Sequence, residues 1–259
     1  MTTKIHFCSV SINNNSRKNN YIDAGLKWAN SILNYSDFSA TIITNEPDHF
    51  KDLDSSRLEI ISCSDHGIKT NTGGRRKYFN MNSKLYAIKF ALKHQSEYVF
   101  YMDGDSYLNE NWNTEKTLSL LDSSQSSHSF DVLQHNIYRI NGPMSRYHAK
   151  HNAQHPWEST IKSIGYKSIP NYYAPQETLM IYKNNEKLKN FLSIWEKIDQ
   201  ACPDGMNTSF IGIPVGFCQG KSDMKIITYG RRKHWCDMLN GMGLHNQGKH
   251  VKIVSRVCW

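Results

Sequence analysis

The segment Tyr98–Asp105 constrains the fold of this chain more than any other. It reads Tyr-Val-Phe-Tyr-Met-Asp-Gly-Asp, so five apolar residues end in two carboxylates separated by one glycine. A short, β-prone apolar run is typical of a strand covered on both faces, as in the sheet of an α/β protein. In such sheets ligands bind beyond the carboxyl ends of the strands. The pattern therefore predicts that Asp103 and Asp105 lie where a ligand binds.

Two interpretations of Asp103-Gly104-Asp105 stay open from the residues alone. Neighbouring carboxylates repel each other unless a cation neutralises them, and oxygen ligands favour a hard ion such as Mg²⁺ or Mn²⁺. An ion held there would serve to bind a phosphorylated substrate. The same three residues are equally typical of a plain turn after a strand, because glycine supplies a positive φ and the aspartate side chain hydrogen-bonds to its own backbone.

Composition bounds the class of protein. The 259 residues are 39% hydrophobic, long enough for a substantial core, and no apolar stretch has the length needed to cross a bilayer. The start of the chain lacks the apolar region of a signal peptide, so we expect a cytoplasmic protein whose six cysteines are free thiols. The net charge of +8 suits phosphate-bearing substrates or an anionic membrane surface. Without a recognisable nucleic-acid-binding module, no nucleic-acid partner is expected.

Strands and helices alternate through the first half of the chain. The predicted strands are 4–12, 40–44, 58–61, 98–102, 178–182, 224–229 and 251–254, and the predicted helices are 21–33, 80–94 and 186–198. This βαβ order predicts a Rossmann-like, mainly parallel central sheet flanked by helices, followed by a less regular second half. The serine-rich segment 122–130 is predicted to be an exposed loop.

Two further clusters are open to a functional or a structural interpretation. Lys84 lies about 60° from the centre of the apolar stripe of its helix, and spacing alone favours a lysine that reaches solvent. If that flank opens on the carboxyl edge of the sheet, its ammonium would instead reach an anionic substrate. His245, Gly248 and Lys249 would supply a metal ligand and a phosphate contact, or form a solvated turn.

The order and separation of these motifs resemble the core of GT-A glycosyltransferases. Closest in pattern are those of family 8, the glycogenin-like and bacterial sugar transferases. In that family a lysine opens the helix, as in Lys84-Leu85-Tyr86-Ala87-Ile88, and the next strand ends in Asp-x-Asp. A late His-x-x-Gly-x-x-Lys motif then returns to the site. Here Lys249 follows Gly248 directly, which departs from that motif.

This resemblance covers residues 1–110 in layout and implies one GT-A domain over 1–259. Residues 1–130 would bind the nucleotide sugar, and residues 131–259 would form the acceptor side and complete the metal site. The implied enzyme transfers a sugar from a nucleoside diphosphate sugar, expected to be a UDP-sugar, to a hydroxyl of a carbohydrate or glycoconjugate acceptor.

The resemblance also implies roles for individual residues. Asp103, Asp105 and His245 would bind Mn²⁺ or Mg²⁺, and the imidazole favours the transition metal. Gln176 or Glu177 would contact the transferred sugar or the acceptor hydroxyl. Glu177 would take the acceptor's proton in an inverting enzyme, whereas a retaining enzyme needs no base there, and a glutamate facing solvent is the structural alternative. The other implied donor-site residues are Ser9, Ser11, Thr44, Asn45, Lys84, Gly104, Gly248 and Lys249.

Two other functions stay open. A nucleotidyltransferase also places paired acids on metal ions, but the chain has Asn13-Asn14-Asn15 where the sugar-nucleotide-forming type has a glycine-rich loop. It also lacks the Gly-Ser helix start of the polymerase-like type before its acids. The second alternative is a basic carbohydrate- or nucleic-acid-binding protein without catalysis. Peripheral membrane contact and the oligomeric state are left open.

Overall fold

The computed structural model describes residues 4–13, 21–54, 56–75, 78–140, 157–167, 172–208, 211–228 and 244–246. Within these ranges the strands are β1 (Ile5–Ser11), β2 (Ser39–Thr44), β3 (Leu58–Ser62), β4 (Tyr98–Met102), β5 (Ser106–Leu108), β6 (Val132–Ile140), β7 (Tyr172–Lys183), β8 (Ile226–Thr228) and β9 (Leu244–Asn246). The α-helices are α1 (Tyr21–Tyr35), α2 (Ser83–Ala91), α3 (Thr114–His128), α4 (Trp157–Ser163), α5 (Glu186–Ala201) and α6 (Gly212–Lys221). No helix within these ranges is long and apolar enough to span a bilayer.

Seven strands form one sheet in the order β3-β2-β1-β4-β7-β6-β8. Neighbouring strands run parallel except at β7, which is antiparallel to both β4 and β6. The predicted mainly parallel α/β sheet is therefore confirmed. Strands β5 and β9 form a separate antiparallel pair.

The direction in which the sheet grows reverses between β1 and β4. Strands β2 and β3 are added on one side of β1, and the chain then returns through α2 to place β4 on the other side. Such a reversal opens a crevice at the carboxyl ends of the two strands that flank it, where ligands of α/β proteins bind. Here those ends are Ser11 of β1 and Met102 of β4.

Both faces of the sheet are covered. All five residues of β4 are buried, which agrees with its unbroken apolar sequence. Tyr98 and Phe100 pack on the face covered by α1, whereas Tyr101 packs on the opposite face with residues of α2 and α5. Because alternate side chains of a strand point to opposite faces, an apolar residue is required at every position.

The predicted loop at 122–130 is wrong, because α3 extends through most of it. The helix begins with the Asn113 side chain accepting a hydrogen bond from a backbone N–H of the first turn, and Leu121 anchors it in the core. Ser123 and Ser126 donate their hydroxyls to backbone carbonyls of the preceding turn. Serines bonded in this way are compatible with a solvent-facing helix end, which composition alone does not indicate.

The other predicted elements within the described residues are confirmed, with shifted boundaries. The predicted strand 178–182 is only the end of β7, which begins at Tyr172. The pattern did not predict β5, β6, β9, α3, α4 or α6. The predicted strand 251–254 lies outside the described residues.

Candidate functional site

The Asp103-Gly104-Asp105 segment forms a tight turn at the end of β4. The Ser106 N–H donates to the Asp103 carbonyl over 2.8 Å and closes the turn. A Cβ at Gly104 would lie 2.7 Å from the carbonyl oxygen of Val10, so only glycine lets the turn approach the end of β1 this closely. Glycine is thus required by close approach, and Gly104 does not have the positive φ that the turn interpretation predicts.

Asp103 is held by two donors on one carboxylate oxygen. The Lys84 ammonium lies 2.7 Å from Oδ1, and the Tyr101 hydroxyl donates to the same atom over 2.8 Å. Burial raises the pKa of Tyr101 well above its usual value, so its hydroxyl stays protonated and remains a donor. Oδ2 takes neither of these bonds and is the oxygen to which a cation would bind.

Lys84 is buried, and the expectation that it reaches solvent is wrong. Only 5% of its surface is exposed, because α2 is enclosed by the sheet on one side and α5 on the other. The Trp195 indole on α5 donates to Asn82 over 2.9 Å and fixes the start of α2. The ammonium is therefore directed into the site and lies 5.5 Å from the centre of the Tyr101 ring.

These groups line a pocket of about 120 Å³ at the crevice between β1 and β4. Lys84, Asp103 and Asp105 form its charged part, and apolar side chains, two tyrosines and Gly104 form the rest. The lining residues are Val10, Ile12, Tyr21, Phe79, Met81, Lys84, Tyr101, Asp103, Gly104 and Asp105. One ammonium and two carboxylates leave one net negative charge, so a divalent cation would make the pocket positive and suited to a diphosphate.

His245 is brought to this region by the backbone. Strand β9 pairs with β5, and His245 lies opposite Tyr107, two residues after Asp105. The side chain of His245 is outside the described part of the chain, as are Gly248 and Lys249, so its role as a metal ligand stays a prediction. Among the side chains that are described, no group of three or more His, Cys, Asp or Glu residues gathers.

Gln176 and Glu177 lie on β7 near the same loop. The ladder between β4 and β7 ends where Met102 pairs with Leu179. Because the two strands are antiparallel, Glu177, two residues before Leu179, lies at the level of the Asp103–Asp105 turn. Gln176 pairs through the backbone with His135 of β6. The structure describes only the backbone at 176–178, so the roles of these two residues stay predictions.

Ser9 and Ser11 have structural roles. Both are fully buried; Ser9 donates its hydroxyl to the Met102 carbonyl over 2.6 Å, and Ser11 donates to the Tyr21 carbonyl over 2.8 Å. The first bond joins β1 to β4 just before the acidic turn, and the second holds the start of α1. Neither residue lines the pocket, so we do not include them among the ligand contacts.

Thr44 and Asn45 lie at the end of β2 and do not line the pocket. Thr44 is buried, and its hydroxyl accepts the Glu46 N–H over 3.1 Å. Asn45 is exposed, accepts the Asn13 N–H over 2.8 Å and donates to the Asn13 carbonyl over 3.0 Å. Of the four predicted strand-end contacts, Asn45 is therefore the one that a ligand can reach.

Sequence reasoning missed Tyr101 and the apolar lining residues. Tyr101 lies two positions before Asp103, and the period of a strand places both side chains on the same face. That spacing could have identified the contact. Phe79 precedes α2 and carries no comparable sequence signal.

No protein-family model matches the chain, and no curated protein matches it.

Proposed function

We propose that this chain is a metal-dependent glycosyltransferase that moves a sugar from a nucleoside diphosphate sugar to an acceptor hydroxyl. The observation that carries the proposal is the position of Asp103. It ends β4 at the reversal of the sheet and shares one pocket with Asp105 and the buried ammonium of Lys84. A carboxylate pair beside a fixed positive charge suits a substrate that is a cation-bound diphosphate.

Each residue of the proposed donor site has a distinct role. Asp103, Asp105 and His245 would hold Mn²⁺ or Mg²⁺, which when bound neutralises the charge that develops on the leaving nucleoside diphosphate. Lys84 orients Asp103 and contributes a positive charge from a buried position. Gly104 lets the turn approach β1. Gly248 and Lys249 are retained as phosphate contacts by the resemblance alone.

The acceptor side is proposed to include β7. Glu177 would take the acceptor's proton if the anomeric centre is inverted, and Gln176 would position the sugar or the acceptor hydroxyl. Their place at the level of the acidic turn supports this assignment.

A product assay tests the proposal. Purified protein is incubated with UDP-, GDP- and CDP-sugars and Mn²⁺, with water as a slow acceptor, and the released nucleotide is identified. We expect a nucleoside diphosphate from one donor class, and we expect Asp105→Asn to abolish its release. Asp122→Asn, which changes an exposed acid on α3, is the matched control and should behave as the wild-type protein.

The alternatives give different products. Release of pyrophosphate from a nucleoside triphosphate and a sugar phosphate would indicate a nucleotidyltransferase. If no donor is turned over and none of the three nucleoside diphosphates binds, the chain is a non-catalytic binding protein and the proposal is wrong.

A further inference from the structure

A second cleft lies between α1 and the segment that follows the acidic turn, and we call it the α1 groove. It has a volume of about 380 Å³. Its first wall is a stripe of α1 at helical spacing, and its second wall is formed by β5 and the turn after it. The lining residues used below are Lys27, Asn34 and Tyr35 on the first wall, and Tyr107, Glu110 and Asn111 on the second.

The floor of the groove is rigid. Ser31 is buried, donates to the Trp28 carbonyl over 2.6 Å and accepts the Leu108 N–H over 3.0 Å. This pair of bonds ties β5 to α1, and Leu108 itself is fully buried. The groove is therefore formed before a ligand arrives, which lowers the entropy cost of binding.

The walls offer neutral polar groups and aromatic rings. Asn34 and Asn111 are exposed, and each amide presents donors and an acceptor. The Tyr35 side chain is 44% exposed, and among the residues that the structure describes it is the large hydrophobic side chain that is exposed. At the other end, the Lys27 ammonium lies 4.4 Å from the centre of the Tyr107 ring.

This chemistry fits one class of ligand. Lys27 and Glu110 balance each other, so the groove has no net charge with which to select a phosphate or a nucleic-acid backbone. Amides that donate and accept match a chain of hydroxyl groups, and tyrosine rings pack against apolar C–H faces with little loss of side-chain entropy. A saccharide has both features.

The groove and the candidate active site are lined by neighbouring residues of the same segment, which begins at the acidic turn. Tyr107 follows Asp105 by two residues, about 7 Å along an extended chain. From Lys27 to Tyr35 the helix runs for about 12 Å. A chain bound in the groove therefore passes close to the acidic turn at one end and reaches Tyr35 at the other.

We propose that the α1 groove binds a neutral saccharide chain and holds part of the acceptor away from the reacting sugar. The binding site itself is independent of catalysis, whereas its use for the acceptor rests on the proposed function. It would explain how an enzyme recognises a glycan acceptor beyond the single hydroxyl that reacts.

The test is direct binding in EDTA, without metal or nucleotide. Labelled protein is applied to a printed array of defined glycans, and the affinity for the best-bound neutral oligosaccharide is measured by calorimetry. Tyr35→Ala should weaken binding about tenfold because a stacking ring is lost, and Tyr35→Trp should restore it. Asn34→Ala should weaken binding severalfold. Asn190→Ala, which removes an exposed amide from α5, is the matched control and should leave the affinity unchanged.

Two results would overturn the inference. The first is an array on which the wild-type protein binds no neutral glycan. The second is glycan binding that Tyr35→Ala and Asn34→Ala leave unchanged. Failure of the proposed function is recognised separately. If the protein binds glycan in EDTA but never turns over a nucleotide sugar, the saccharide-binding groove is supported and the glycosyltransferase proposal is wrong.

Discussion

At the scale of single residues, the arrangement around Asp103 determines what the pocket can bind. Lys84 and Tyr101 share Oδ1, so the orientation of the carboxylate is fixed by groups from α2 and β4. A ligand oxygen held in this way binds a cation with less loss of freedom than a mobile side chain does. Removing either donor should therefore affect both stability and metal affinity.

Replacing Asp103 should cost stability as well as activity. Asp103→Asn removes the carboxylate that the buried Lys84 ammonium contacts, and we expect a loss of roughly 1–3 kcal/mol in the free energy of unfolding. Urea denaturation measures it. The double variant Lys84→Met with Asp103→Asn should recover part of the loss, and strictly additive effects would contradict the coupling. Turnover should be abolished in both Asp103 variants.

Tyr101→Phe should weaken metal binding while the fold is retained. The ring still fills the core, but one of the two donors on Oδ1 is lost. We expect Mn²⁺ affinity to fall about three- to tenfold, as measured by the electron paramagnetic resonance signal of free Mn²⁺. The control Tyr98→Phe removes a hydroxyl from the opposite face of the same strand and should leave the affinity unchanged. Equal affinities in the two variants would rule out the positioning role.

Sequence reasoning at this scale located the acids but not their environment. Asp103 and Asp105 follow from an apolar strand that ends in carboxylates. The burial of Lys84 does not follow, because it depends on α5, more than a hundred residues later, closing over α2. His245 was placed by resemblance to a known motif; its backbone lies opposite Tyr107, and its role as a metal ligand stays a prediction.

At the scale of elements, the structure and the sequence pattern differ most clearly at α3, so a variant in this helix distinguishes between them. Proline within a helix removes a backbone hydrogen bond and clashes with the preceding turn, whereas a loop tolerates it. Ser123→Pro should therefore cost about 3 kcal/mol in the free energy of unfolding, and Ser123→Ala should be nearly neutral. If thermal denaturation shows that both variants equal the wild type, the segment is a loop, as its composition alone suggests.

Strands with a strong periodic or continuous apolar pattern were predicted well, and elements that depend on distant partners were not. β1, β2, β3 and β4 each carry their own signal. β6 contains Gln134, a buried amide whose side chain exchanges hydrogen bonds with Gln219 of α6 over 2.6 and 3.1 Å. A polar residue at a core position interrupts the apolar pattern by which a strand is predicted, and only the structure shows that Gln219 satisfies its amide.

At the scale of the whole molecule, a buried histidine couples stability to pH. His6 bonds Ser39 through Nδ1 over 2.9 Å and Thr41 through Nε2 over 2.8 Å. The Thr41 hydroxyl donates to Glu59, so it must accept from His6, which places the proton of the neutral ring on Nε2. Burial, and then the charge of His94 stacked 4.0 Å away, lower the pKa of His6 to about 3.

Acid should therefore destabilise the protein well above the pH at which carboxylates titrate. The unfolded chain takes up a proton on His6 near pH 6.5 and the folded chain only near pH 3, so stability is complete above the first value and falls as the pH drops towards the second. Between pH 7 and pH 5 the loss is about 2 kcal/mol. Urea melts at the two pH values measure it. His6→Gln should remove most of this difference, and an unchanged pH dependence in that variant would contradict the assignment.

The most direct test of the central claim is isothermal titration of UDP, GDP and CDP into the wild-type protein and into Asp105→Asn, each with Mn²⁺ and with EDTA. We predict that one nucleoside diphosphate binds the wild-type protein at least about tenfold more tightly with Mn²⁺, and that Mn²⁺ makes no difference in the variant. Binding that is equally strong in EDTA, or a variant that responds to Mn²⁺ as the wild type does, would contradict a metal-bridged diphosphate at the end of β4.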